Sequence, residues 1–145
     1  MPELAITRVF DAPRELVFAA WTEPDQLASW LGPAGFTGCA VTLDTREGGR
    51  WRACIRSAEG EEHWMSGVYR ELAAPERLEF TFAWDDAAFE TLVRIGFTDL
   101  DGKTEMTFVQ TGFPEVAERD NHDEGWASCF DDLTRYVRTR GEENR

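Results

Sequence analysis

The chain has 145 residues, of which 28 are acidic and 15 basic, for a formal net charge of -13, and 42% are hydrophobic. A chain of this size buries a real core without staples, so one domain over 1–145 is expected, and its apolar stretches are far too short to cross a bilayer. The acidic excess would repel a phosphate backbone and no basic aromatic stripe offsets it, which excludes nucleic acid and anionic membrane surfaces as expected partners.

The opening "MPELAITRVFDAP" shows no basic region followed by an apolar run, so a soluble, cytoplasmic protein is expected. Within it, Leu4 to Asp11 alternates and is rich in β-formers, which predicts a first strand. The period then changes. Val17, Phe18 and Trp21 share a face at helical spacing behind Pro13, and Leu27, Trp30 and Leu31 repeat the device behind Pro24 until Gly32-Pro33 stops it. Two short helices therefore follow the first strand.

From Phe36 the pattern has period two, punctuated by turn chemistry at Gly48-Gly49, Gly60 and Pro75. Trp51, Ala53 and Ile55 alternate with Arg50, Arg52 and Arg56, assigning one buried and one wet face. Met65, Gly67 and Tyr69 form the next inward set, followed by Leu78, Phe80, Phe82 and Trp84, then Val93, Ile95 and Phe97. Asp101-Gly102 is a hairpin turn leading into Met106, Phe108 and Gln110. Six strands in a meander are predicted. The last element, from about His122 to Arg138, carries Trp126, Cys129, Phe130, Leu133, Tyr136 and Val137 three or four residues apart, a long helix with one apolar face. A sheet with one apolar face needs a cover, and this helix is the element long enough to provide it.

The order of elements, with "VFDAPRELVFAAWTEPDQLASWLGP", "GGRWR", "GVYRELAAPERLEFTF" and above all "QTGFPEVAERDNHDEGWASCFDDL", resembles the bacterial relatives of the Hsp90 ATPase activator C-terminal domain, the AHSA1-type family. These belong to the START-like, Bet v 1-like (SRPBCC) superfamily. The resemblance covers nearly the whole chain. It implies an α+β helix-grip fold: a curved antiparallel seven-stranded sheet around a long C-terminal helix, with two short helices after strand 1 and an elongated apolar cavity between sheet and helix.

Gly125 stands one residue before Trp126, and glycine lowers helix stability by roughly 1 kcal/mol relative to alanine. Two uses are open: the glycine admits a neighbouring element closely, or Trp126 beside it lines a pocket. Six tryptophans and ten phenylalanines supply flat side chains suited to pocket walls, and equally to filling space. The expected walls are Trp30, Trp51, Met65, Phe80, Phe82, Phe97, Phe108, Trp126 and Phe130, with Tyr69 and Gln110 as orienting polar groups.

Catalytic motifs are weak. Neither G-x-S-x-G nor a phosphate-gripping glycine loop occurs, and no cofactor is expected. His122 stands among Asp120, Asp123 and Glu124, but these point in several directions around a helix start and their charges suit the helix dipole, so no metal is expected. The same carboxylates should favour a protonated, surface-exposed His122. His63 is expected near a hairpin, exposed. Cys39, Cys54 and Cys129 are odd in number and irregularly spaced, which predicts reduced thiols, with Cys54 exposed on its strand and Cys129 inert in an apolar setting.

The expected function is binding of a small apolar or aromatic ligand between sheet and C-terminal helix. A polyketide cyclase or dehydratase-type enzyme is the alternative, and a module that interacts with an Hsp90-type chaperone is a third reading. A homodimer is left open.

Overall fold

In the computed structural model, which describes residues 2–143, seven strands form one antiparallel sheet in the order β1-β7-β6-β5-β4-β3-β2. β1 (Glu3–Phe10) is followed by helices α1 (Arg14–Thr22) and α2 (Pro24–Trp30). The meander β2 (Phe36–Leu43), β3 (Arg50–Ser57), β4 (Glu62–Ala73), β5 (Arg77–Trp84), β6 (Thr91–Leu100) and β7 (Lys103–Thr111) then leads into α3 (Val116–Glu143). The sheet is curved and wraps α3, the helix-grip arrangement of the α+β class.

Local chemistry explains the punctuation. Pro13 and Glu23 sit at the N-caps of α1 and α2, Pro24 occupies the first turn of α2, and Gly32, at φ 136°, ends the run beyond it. Asp101 and Gly102 both take positive φ, as a tight two-residue hairpin between β6 and β7 requires. Register shifts between Gly38 and Ala40 and between Tyr69 and Glu71 mark bulges, which bend a strand and raise its twist.

Gly67 shows how the curvature is filled. It pairs with Trp51 across β3 and β4, and a Cβ there would fall 1.8 Å from the Thr81 carbonyl oxygen and 2.6 Å from Trp51 Nε1. The bare backbone lets the indole lie flat over it and donate its N–H to that same carbonyl at 3.0 Å.

The core centres on aromatic rings. Trp21 of α1 meets Trp30 at 4.8 Å between ring centroids, Trp126 at 5.8 Å and Phe130 at 6.0 Å, so α1, α2 and α3 close over the sheet through one cluster. Offset and edge-on aromatic pairs contribute about 0.5–1.5 kcal/mol each beyond the area they bury. Arg8 ties the edge strand β1 to α3 by an ion pair with Asp131 at 2.9 Å and a hydrogen bond to the Ala127 carbonyl.

Three expectations are corrected. First, α3 begins at Val116, earlier than about His122, because its polar first turns carry no apolar periodicity to read. Second, Cys39 and Cys54 form a disulfide. The bulge in β2 sets Cys39 opposite Cys54 on the outer face of the sheet, with Cα atoms 5.2 Å apart, within disulfide reach. Cys54 is accordingly fully buried, although its neighbours Arg52 and Arg56 are exposed. Third, His63 is half-buried, paired with Glu61 at 2.9 Å and edge-on to Phe36. Among the described residues no helix is long and apolar enough to cross a membrane.

Candidate ligand-binding cavity

The curvature of the sheet holds α3 away from part of β3, β4 and β5, and the gap is a cavity of about 320 Å³. This lies at the lower end of the range for small-molecule pockets, roughly 300–1,000 Å³. Its floor is buried: Ile55, Met65 and Phe82 from the sheet, Leu31 and Gly32 after α2, and Trp126 and Cys129 from α3. Its rim is half-buried, formed by Pro33, Trp84, Ala87 and Phe89 with Glu118, His122 and Gly125, and Asn121 is exposed beside them. The exposure gradient places the mouth between the β5–β6 loop and the first turns of α3. Arg52 grips Asp85 through two hydrogen bonds at 3.1 and 2.7 Å, anchoring the loop that carries Ala87 and Phe89.

Gly125 resolves in favour of space. A Cβ built on it meets nothing within 4 Å, and the residue lines the cavity, so the close approach of a neighbouring element is corrected. α3 presents Glu118, His122, Gly125 and Cys129 at successive intervals of four, three and four residues, one face of the helix turned to the cavity.

Behind the rim runs a buried polar chain whose proton positions follow from its members. An indole N–H can only donate, and Trp126 Nε1 lies 2.9 Å from Gln110 Oε1, which fixes the amide with its oxygen toward α3. Gln110 Nε2 then donates to Thr91 Oγ1 at 2.8 Å, and the Thr91 hydroxyl donates to the Phe82 carbonyl at 3.1 Å. His122 Nδ1 faces the same Gln110 Oε1 at 3.3 Å and so must carry a proton, leaving Nε2 to accept the Trp84 indole N–H at 3.1 Å. Both imidazole nitrogens are thereby used.

Burial pushes the His122 pKa down to about 4, so the ring is neutral at pH 7. The expectation of a protonated surface histidine is corrected: the ring turns inward between Phe82, Trp84 and Phe113, away from the carboxylates that precede and follow it. Desolvation acts on Cys129 as well, whose thiol is pushed up to about 11 while its sulfur accepts the Gly32 N–H at 3.4 Å. A protonated, hydrogen-bonded thiol is a poor nucleophile.

A second void of about 30 Å³ lies deeper, between α1 and the sheet. Leu31, Met65, Phe82 and Trp126 border both spaces and form the partition between them. Trp21 borders the inner void, and its indole N–H has no hydrogen-bond partner among the described residues.

Of the wall residues expected from the sequence, Met65, Phe82 and Trp126 face the main cavity, and Trp51, Tyr69 and Phe80 face the inner void. Four others line neither space. Trp30 spends its N–H on the Ala20 carbonyl at 3.0 Å, Phe97 packs edge-on to Phe18, and Phe108 and Phe130 stand against Trp126 in the solid core. Gln110 sits one layer back, reaching the cavity only through His122 and Trp126. Alternation could not reveal the rim from the loops, Pro33, Ala87 and Phe89. The polar stripe Glu118, His122, Gly125 was readable only as a helical face without hydrophobicity.

A curved sheet gripping a long helix over an apolar cavity defines the START-like, Bet v 1-like class of domains. Within that class the chain belongs to the Activator of Hsp90 ATPase homolog 1-like protein family, whose model matches residues 11–138. A crystal structure of a Chromobacterium violaceum protein is 31% identical, with a TM-score of 0.87 over 93% of this chain and 96% of that one. The AHSA1 protein from Silicibacter pomeroyi is 24% identical, with a TM-score of 0.82 over 96% and 99% of the two chains. An AHSA1-like protein from Aeromonas hydrophila is 23% identical, with a TM-score of 0.81 over 97% and 94%. These last two show a shared fold. The comparison with curated proteins found no match.

Proposed function

We propose that the protein reversibly binds a small apolar or aromatic molecule in the cavity between β3–β5 and α3. The observation that carries this reading is the cavity itself, about 320 Å³ beneath a helix whose Gly125 leaves space that an ordinary side chain would occupy. Ile55, Met65, Phe82, Trp84, Phe89 and Trp126 provide apolar contact, and His122 contributes a neutral ring whose nitrogens are already bonded. Cyclase-type chemistry through His122 is disfavoured on that ground: a general base needs a free lone pair within reach of its substrate, and the His122 lone pair is held by Trp84. Native mass spectrometry of freshly purified protein, followed by release and identification of the adduct, tests the reading. A recovered molecule chemically altered on incubation would replace it with the enzyme.

The family description supports a second reading, action on an Hsp90-type ATPase, which requires no cavity. Stimulation of that ATPase by wild type and by a cavity-filled Gly125→Leu protein alike would favour it. A cytoplasmic location is part of the proposal. Disulfides are rare there, so alkylation of thiols at the moment of cell lysis reports whether Cys39 and Cys54 are joined in the cell.

A further inference from the structure

The cavity wall is apolar except at one end, where Glu118, Asn121 and His122 lie in the first turns of α3, and of its lining residues Glu118 is the one carboxylate. One oxygen of its carboxylate, Oε2, is closed off from the surface and has no hydrogen-bond partner among the described residues, so a donor arriving from the cavity meets it through a turn of the carboxylate, a soft torsion. A buried acceptor without a donor is rare in folded proteins, since it forfeits its hydration and gains nothing in return. Two neighbouring donors on α3 are committed elsewhere. His122, one turn on, directs Nδ1–H to Gln110 and accepts from Trp84, and Arg119 is engaged with Asp120 and with the Glu3 carbonyl.

Resting on the cavity-binding reading above, we propose that the ligand is amphipathic, an apolar or aromatic body carrying a cationic amine at one end, with the amine donating to Glu118 at the cavity rim and the body lying against Met65, Phe82 and Trp126. A charge of the opposite sign is penalised at the same place. An anionic head group would be brought against the Glu118 carboxylate, with no guanidinium or ammonium lining the cavity to receive it. The net charge of -13 works in the same direction at long range, and Glu118→Gln and Glu124→Gln change it equally, which allows the local contribution to be separated from the global one.

The test is calorimetric titration with three probes of matched body: 1-naphthylethylamine, 1-ethylnaphthalene and 1-naphthylacetate. The expected result for wild type is that the amine binds about tenfold tighter than the neutral probe, the scale of one charge-assisted contact, and that the carboxylate binds weakest. Glu118→Gln keeps the shape of the side chain and should bring the amine to within about threefold of the neutral probe. Glu124→Gln, which removes an equal charge from an exposed position on the same helix, should leave the preference intact. An amine no tighter than the neutral probe in wild type, or a preference unchanged in Glu118→Gln, overturns the inference while leaving the cavity reading standing. Failure of all three probes to bind wild type overturns both.

Discussion

At the scale of single residues, His122 shows how burial reverses what sequence neighbours suggest. Three carboxylates lie within two residues of it, yet its ring is turned inward and desolvation holds its pKa near 4, against an ordinary value of 6.5. Between those two values the unfolded chain binds the extra proton, so stability rises with pH across the window: the contribution is complete above about 6.5 and is lost as pH falls toward 4. The full effect is at most about 3 kcal/mol, reduced by solvent screening because the ring is only partly buried. The stability advantage of wild type over His122→Asn in urea melts should therefore shrink as pH is lowered from 6.5 to 4, and the ring protons should titrate near 4 by NMR. A midpoint near 6.5 would contradict the inward placement. Gln110 is the second sensitive residue. Replacing it by leucine strands the Trp126 N–H and the His122 Nδ1–H together, and each unsatisfied buried group costs about 1–3 kcal/mol, so Gln110→Leu should lower unfolding free energy by about 2–6 kcal/mol.

At the scale of elements, α3 is the decisive one, since its cavity face interrupts its core face. Nothing lies within 4 Å of a Cβ at Gly125, and the position is ordinary helix, so Gly125→Ala should stabilise the protein by roughly 0.5–1 kcal/mol in chemical denaturation. Destabilisation would mean that another element fills the space. The strands were legible because Trp51, Ala53 and Ile55, or Phe80 and Phe82, announce an inward face by alternation, and the two short helices because proline and glycine mark their ends. The cavity was legible only in part. Whether a buried aromatic faces a void or another ring depends on the curvature of the sheet, which Trp126 and Phe130 do not encode separately: one borders the cavity and the other, one turn away, is solid core. The bulge that brings Cys39 to Cys54 was invisible for a related reason, since a strand with one extra residue reads as an ordinary strand. The first two turns of α3, carrying Glu118, lacked the apolar spacing by which the rest of the helix was found.

At the scale of the whole molecule, one disulfide and one cavity have opposite effects on the sheet. The Cys39–Cys54 bond closes a chain separation of 15 residues between β2 and β3, for which loop entropy suggests a stabilisation of about 3 kcal/mol. Thiol titration of the oxidised protein in denaturant should find one free thiol, Cys129, and added reductant should lower the unfolding midpoint; three free thiols in protein that melts unchanged would contradict the bond. The cavity, by contrast, is packing given up beneath α3. The most direct test is fluorescence titration with the neutral apolar probe N-phenyl-1-naphthylamine on wild type and on Gly125→Leu, whose added side chain projects into open space in the cavity. The account predicts saturable one-to-one binding by wild type and at least about a tenfold loss of affinity in Gly125→Leu, with the melting transition retained. No saturable binding by wild type, or equal binding by the folded variant, would contradict it.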